Sequence, residues 1–368
     1  MGIAERIKEL EEEYEKTPKN KGTEHHLGKL KAKIAQLREQ LATEASKKSG
    51  KSEHGYSVKK TGDATVVFIG FPSAGKSTLL NNITNAQSEI GDYEFTTLNV
   101  VPGIMEYKGA RIQVLDIPGI IEDASRGKGR GREILSVARI ADLIVFVIDG
   151  SKGPEQIETL RNELYRIGIR LDQEPPDITI TKKDRGGIII KSTVKQRLTE
   201  ETIKGMLTEY GILNAEVILR EDYTIDRLID AISKNRVYVP SLILVNKKDL
   251  LSAKDLEHIK AYFSNNNIIF TSALRNENID ALKEEIFKTL NIMRVYTKEI
   301  GKDPKLDEPM IVKEGAKVKD IAQSLHKDFL KYFLHAKIWG KSAKFPGQKV
   351  GLEHVLKDED IIELWMRK

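Results

Sequence analysis

A chain of 368 residues with 40% apolar and 31% charged side chains is long enough for two or three domains with real cores and a well-solvated surface. Sixty basic against fifty-five acidic residues leave only +5, too little to name a polyanionic partner. The absence of cysteine excludes disulfide frameworks, thiolate-bound zinc, iron–sulfur clusters and thiol nucleophiles. No apolar run reaches membrane-span length, and the acidic, amphipathic opening MGIAERIKELEEEYEK fits neither a signal nor a transit peptide, so a cytoplasmic chain is expected.

Ile3, Ile7, Leu10 and Tyr14, then Leu27, Leu30, Ile34, Leu37 and Leu41, fall at helical spacing on either side of a break at Thr17, Pro18 and Gly22. This predicts two short amphipathic helices in a hairpin, with His25-His26 as a polar turn. Lys16–Lys60 holds twelve Lys/Arg against four acids, and Ser46–Lys60 reads as a polar linker. A solvated packing arm and an RNA contact are both open readings of this basic hairpin.

From Ala64 the texture becomes strand–helix alternation, with strands expected at Ala64–Ile69, Ile112–Leu115, Leu143–Ile148, Leu242–Val245 and Ile268–Phe270. Such alternation implies a mostly parallel sheet with helices on both faces. One connection, Asp149 to Ser241, is about three times the length of an ordinary strand–helix–strand unit. After a helix at Pro154–Ile167 the excess is expected to form an inserted α+β domain, with strands in ITITKK, GGIIIKSTV and AEVILR and helices at Glu200–Tyr210 and Asp226–Ser233. Beyond Leu290 short strands and one helix at Val318–Leu325 suggest a compact C-terminal domain. The expected division is 1–60, 61–167 continued by 240–292, the insertion 168–239, and 293–368.

Four motifs carry chemistry. Gly70-Phe71-Pro72-Ser73-Ala74-Gly75-Lys76-Ser77-Thr78 follows a strand and opens a helix, the arrangement that turns backbone N–H groups and a helix N-terminus toward phosphates. In it Lys76 reaches the β- and γ-phosphates and Ser77 offers a hydroxyl to Mg²⁺. Asp116-Ile117-Pro118-Gly119 ends the next expected strand; its carboxylate can support Mg²⁺ through water, and the Gly119 N–H can sense the γ-phosphate. Asn246-Lys247-Lys248-Asp249 follows a third strand, where Asp249 can accept from both N1–H and the exocyclic amine of guanine, which favours GTP over ATP. Thr271-Ser272-Ala273 caps the next strand, placing the Ser272 and Ala273 backbone to read the guanine carbonyl. Between the first two motifs, Tyr93-Glu-Phe-Thr96-Thr97-Leu offers a threonine to the metal once the γ-phosphate orders the loop; Thr97 is favoured over Thr96.

With these elements in order, GFPSAGKSTLL, YEFTTLNVVPG, DIPGIIE, GKGRGRE, NKKD and the C-terminal region resemble the developmentally regulated GTP-binding protein (DRG) family, in the Obg-like branch of translation-factor-class GTPases. The resemblance spans essentially the whole chain. It implies an α/β P-loop GTPase domain with an N-terminal helix-turn-helix, an inserted module like ribosomal S5 domain 2, and a C-terminal TGS domain of β-grasp fold. It implies GTP hydrolysis to GDP with Mg²⁺, with Lys76, Thr97 and Gly119 as catalytic groups and Ser77, Thr97 and Asp116 at the metal. Ile120 stands where Ras-like enzymes place the glutamine that orients water, so slow intrinsic turnover is expected. Some relatives hold a monovalent cation with a loop asparagine; Ser73 stands there, leaving K⁺ an open question.

Partners implied are the ribosome, its RNA or tRNA, and a small regulatory protein, with neither membrane nor DNA, for a monomer. Arg126-Gly-Lys128-Gly-Arg130-Gly-Arg132 reads as a basic switch or a solvated loop, with an arginine finger from Arg130 or Arg132 as a further alternative. Phe329–Leu352 carries Lys331, Lys337, Lys341, Lys344 and Lys349 without an acid, interleaved with Tyr332, Phe333, Trp339 and Phe345. It reads either as an RNA contact or as domain core with solubilising lysines. An RNA-binding adaptor with structural GTP is the competing functional class.

Overall fold

The computed structural model describes residues 2–48, 62–84, 101–117, 137–233, 235–263 and 268–367. In chain order its elements begin with helices α1 (Ile3–Lys16) and α2 (Glu24–Lys48). Strand β1 (Ala64–Ile69), helix α3 (Lys76–Ile83) and strands β2 (Val101–Tyr107), β3 (Ala110–Asp116) and β4 (Leu143–Asp149) follow. Next come α4 (Gln156–Arg166), β5 (Ile169–Leu171), β6 (Ile178–Lys182), β7 (Ile188–Ser192), α5 (Glu200–Glu209), β8 (Ala215–Leu219), α6 (Ile225–Ile232) and β9 (Val237–Val239). The chain continues with β10 (Ser241–Asn246), α7 (Ala253–Tyr262), β11 (Ile268–Phe270) and α8 (Ile279–Thr289). It ends with β12 (Ile292–Thr297), β13 (Met310–Lys313), α9 (Val318–Leu325), α10 (Lys327–Lys331), β14 (Phe333–Trp339), β15 (Gln348–Val350) and β16 (Asp360–Met366).

These elements form two compact units, residues 1–56 with 173–238, and residues 57–172 with 239–368. In the first, Ile7 and Leu10 of α1 meet Leu30 and Ile34 of α2, as the apolar spacing requires. The opposite side of α2 is not a solvated arm. Ala32 is fully buried in one core with Ile203, Met206 and Leu207 of α5 and Leu228 of α6, beneath the sheet β6-β8-β7. Gly28 allows this approach, since a Cβ there would lie 3.0 Å from Thr202 Cγ2. Lys31 pairs with Asp226 at 2.6 Å and Lys33 reaches Glu209 at 3.8 Å, so two of the hairpin's cations are used within the unit. Helix α2 also runs past Leu41 into the stretch expected as linker, and His25 and His26 lie in its first turn, not in a loop.

In the second unit the described strands pair in the order β11-β10-β4-β1-β3-β2. All but one of these pairings are parallel; β2 runs antiparallel to β3 at the edge. Strand β2, which carries Pro102 and Gly103, was not among the strands expected from the sequence. An edge position tolerates a proline that cannot donate to the ladder. The apolar strands β1, β4 and β10 are buried throughout or nearly so, and their parallel pairing brings their carboxyl ends, and the loops that follow them, to one rim.

The C-terminal strands pair in the order β13-β12-β16-β14-β15, with Val318 and Ile321 of α9 packed on Val295, Ala336, Ile338 and Ile362. This domain is docked on the larger sheet. Ile292 and Ile311 join the core around Leu290, Lys313 lies 3.5 Å from Asp142, and the Lys108-Gly109 turn between β2 and β3 abuts Pro309, where a Cβ on Gly109 would come within 2.5 Å of the ring.

Candidate nucleotide-binding site

The loop from Gly70 to Gly75 leaves β1 and enters α3 with little freedom. Gly75 has φ 91°, in the region open to glycine, and any side chain there would collide with the Asn246 amide. Ser73 also has a left-handed φ of 62°. Ala74 is buried, Phe71 half-buried, and Pro72, Ser73, Ser77 and Thr78 are exposed. Lys76 is only 8% exposed, and its Nζ donates to the carbonyls of Gly70 (3.1 Å) and Phe71 (3.3 Å), so the ammonium curls over its own loop. Burial lowers its pKa, opposed by the nearby Asp116 carboxylate.

Asp116, the last residue of β3, accepts from the Ser77 hydroxyl through Oδ2 at 2.8 Å. Its Oδ1 is buried and finds no hydrogen-bond partner among the described residues. A buried carboxylate oxygen left unsatisfied costs on the order of 1–3 kcal/mol or more, and here it lies beside a hydroxyl at a helix N-terminus. Hard oxygen donors of this kind suit Mg²⁺, which is held by one or two carboxylates together with phosphate oxygens and water. The described residues contain no cluster of three or more His, Asp or Glu side chains that would hold a metal without such help. Ile117 is buried and its N–H donates to Phe68 O at 3.4 Å. Thr96, Thr97, Pro118, Gly119, Ile120 and Arg126–Arg132 lie outside the described residues.

On the base side, Asn246 is a bracket. Its amide nitrogen donates to Ala74 O (2.8 Å), and its Oδ1 accepts from the Ala273 N–H (3.0 Å) and the Thr271 hydroxyl (3.4 Å). It ties the phosphate loop to the loop after β11. Asp249, its side chain 6% exposed, accepts from the Ser272 hydroxyl at 2.5 Å; this bond holds its carboxyl below the usual range, so it stays an acceptor. The Lys248 N–H donates to Thr271 O at 2.9 Å. The expectation that Ser272 or Ala273 offers a backbone N–H to the base meets a different arrangement. The Ser272 N–H donates to Glu277 O and that of Ala273 to Asn246, so in this geometry both residues brace the pocket from within.

Two contributors escaped sequence reading. Asp149, ending β4, binds the Lys247 ammonium at 2.6 Å, and Asn82 of α3 donates to Ala273 O at 2.6 Å. Asp149 carried a signal, an acid at the carboxyl end of a buried strand, as at Asp116. Asn82 carried none, since an asparagine on a helix has no motif around it.

Family models agree with this layout. One described as "50S ribosome-binding GTPase" matches residues 65–183, one described as the C-terminal region of that domain matches 185–292, and a TGS domain model matches 293–366. A developmentally-regulated GTP-binding protein 2 homolog of Dictyostelium discoideum is 46% identical over 365 residues, 99% of either chain. The chain belongs to the DRG family. The human developmentally-regulated GTP-binding protein 2 is 44% identical over 99% of both chains, and an uncharacterized GTP-binding protein of Methanocaldococcus jannaschii is 52% identical over 100% of this chain and 94% of its own. This DRG chain is thus a GTP-binding protein with a P-loop GTPase domain and a C-terminal TGS domain. No described helix is long and apolar enough to cross a membrane.

The TGS domain of this DRG chain alters the reading of Phe329–Leu352. Along β14, Ala336 and Ile338 enter the core while Lys337 lies on the opposite, open face. That segment lacks acids in sequence but not in space. Glu363 on β16, its side chain 4% exposed, lies 2.9 Å from Lys298 and 3.8 Å from Lys337, and accepts from Trp365 Nε1 at 2.7 Å; Glu359 lies 3.1 Å from Lys341. The Lys298 ammonium sits over Trp339 and that of Lys337 over Trp365, 5.0 and 4.6 Å from the ring centres. Phe345 and Tyr332 are exposed, so neither is core.

Proposed function

We propose that this chain hydrolyses GTP to GDP in the cytoplasm with Mg²⁺ and uses the nucleotide state to regulate a ribosome-associated step. The observation that carries the hydrolytic reading is the Ser77–Asp116 pair with its unsatisfied Asp116 Oδ1, set beside the buried Lys76. Lys76 would swing from the loop carbonyls to the phosphates and stabilise charge on the transferring phosphoryl group. Ser77, Asp116 and Thr97 would hold Mg²⁺, which when bound neutralises phosphate charge. Asp249 would accept from guanine, and the Gly119 N–H would sense the γ-phosphate. Ile120 cannot orient water by hydrogen bonding, so a cation, a partner or a backbone group would supply that function and unaided turnover is slow.

The ribosomal half of the reading draws on the description of the matching GTPase model and on the lysine- and aromatic-bearing TGS surface. The K⁺ expectation rests on the resemblance alone, and no contact of Ser73 supports it. Ile120 also favours a second reading, an RNA- or ribosome-binding adaptor whose bound GTP is structural. Multiple-turnover phosphate release with ribosomes and K⁺ present separates the two. Turnover that ribosomes accelerate supports the switch; stoichiometric nucleotide with no release supports the adaptor. Co-sedimentation with ribosomes in GTP, GDP and a non-hydrolysable analogue tests the partner.

A further inference from the structure

We propose that Asp149 is a positioning residue of the guanine pocket, acting through Lys247. The inference rests on the nucleotide-site reading above and adds a residue that reading does not use. Asp149 and Asn246 are register partners at the ends of the adjacent parallel strands β4 and β10, so the residue after Asn246 leaves the sheet directly beside the Asp149 carboxylate. That carboxylate is 2% exposed and its oxygens are committed. Oδ2 lies 2.6 Å from Lys247 Nζ, and Oδ1 accepts from the Ser151 N–H (3.1 Å) and hydroxyl (2.6 Å). Burial alone would raise its pKa, but the bonds from Lys247 and Ser151 outweigh it and hold the carboxyl below the usual range.

The lysine is fixed at both ends. Its backbone has φ 63°, a left-handed conformation that side-chain-bearing residues rarely adopt. The two loops are also pressed together, since a Cβ on Gly150 would lie 2.8 Å from Leu251 Cδ1 and 3.1 Å from Asn246 O. The four-carbon stem of Lys247 is therefore stretched from the loop carrying Asp249 back to the end of β4. A lysine stem free in water would sample many rotamers; anchored at its ammonium, it forms a preformed methylene ledge between the bracket Asn246 and the acceptor Asp249. Such a ledge supports one face of a purine ring while Asp249 reads its edge.

The test is a double-mutant cycle on the full chain, read by equilibrium and dissociation kinetics of a fluorescent GDP analogue (mant-GDP). Asp149→Asn is expected to weaken binding 10- to 100-fold, mainly through faster dissociation. Lys247→Met, which keeps an unbranched apolar stem but removes the charge, is expected to lose a similar factor. Because one residue acts through the other, the double variant should bind no worse than the weaker single variant. Asp149→Glu, which retains the carboxylate, should recover part of the loss, a response that lost packing would not give. Losses that multiply in the double variant overturn the proposal, as does wild-type affinity in Asp149→Asn. Should Asp149→Asn fail to fold, Lys247→Met decides alone: wild-type GDP affinity in it overturns the ledge. If the wild-type chain itself does not bind mant-GDP, the nucleotide-site reading fails, a result distinct from either.

Discussion

Lysines are tied to buried carboxylates in two regions of this molecule, Lys247 to Asp149 beside the phosphate loop and Lys298 and Lys337 to Glu363 on the open face of the TGS sheet. An ion pair therefore does not distinguish a binding site from a structural patch. What differs is the state of the neighbouring acceptors. Both Glu363 oxygens are occupied, one by Lys298 and the other by Trp365, so its cluster is complete. At the nucleotide site Asp116 keeps one buried oxygen unmatched next to a helix N-terminus. A buried carboxylate oxygen left unmatched calls for an explanation, and beside the Ser77 hydroxyl at the start of α3 a bound ligand supplies one.

The contrast can be broken most sharply at Lys76. If the nucleotide site is the incomplete one, Lys76→Ala should lower GTP turnover about 10²- to 10³-fold, the scale of removing one transition-state charge partner. Circular dichroism and the thermal midpoint without nucleotide should stay close to wild type. A phosphate-release assay that finds near-normal turnover would place the chemistry elsewhere. Asp249→Asn comes next, with a loss of about 1–3 kcal/mol in GDP binding from the mismatched donors and acceptors. Competition among guanine, xanthine and adenine nucleotides checks it: the variant should gain xanthine affinity, and unchanged guanine preference would refute the base assignment.

Glu363→Gln should act on stability and not on nucleotide. Since Lys298 and Lys337 keep some access to water, about 1–2 kcal/mol is expected, less than for a fully buried pair, with GDP titration unchanged. The pH response sharpens the same point. Burial acts to raise the Glu363 pKa, but Lys298, Trp365 and Lys337 hold it below the usual value. Its stabilisation is thus complete above about pH 5, beyond the unfolded carboxyl range near 4.3, and is lost as pH falls through the lower folded value. Urea midpoints from pH 7 to 3 should fall less steeply in the variant at the acid end.

The smallest effect is expected from replacing Lys337, Lys341 and Lys344 with glutamine. Ribosome co-sedimentation should weaken and its dependence on log salt flatten by roughly one unit per lost phosphate contact. Glu363 and Glu359 already neutralise two of the three, so the change should fall short of three units. Wild-type co-sedimentation at every salt concentration would move the contact surface to Arg126–Arg132.

The nucleotide loops were legible because each motif is contiguous and tied to the end of a buried strand, so Lys76, Ser77, Asp116, Asn246 and Asp249 could be named with their neighbours unknown. Relations between distant segments were not legible. The docking of α2 depends on Ala32 and Gly28 meeting residues more than 150 positions away, and small residues at a helix contact leave no trace in hydropathy. Strand β2 was not expected either; its Pro102 is tolerated because β2 lies at the sheet edge. The acid-free run of lysines likewise did not disclose its carboxylates, Glu363 and Glu359, which come from the segment at β16. Asp149 was visible but unassigned, because its partner follows another strand.

Only Leu290 and Asn291 separate the last residue of α8 from the first of β12. Asn291 O accepts from Glu314 at 2.7 Å, and Lys313 Nζ reaches Leu290 O at 3.3 Å, so even these two residues are clamped. With Pro309 seated against the Gly109 turn, the TGS domain is keyed to the GTPase sheet and not hung from it. A tether would filter out small displacements; a keyed joint has no backlash. The ribbon β2–β3, whose other end is Asp116, shares its turn with that joint, so the Asp116 carboxylate and the lysine-bearing sheet face are linked through one continuous ribbon.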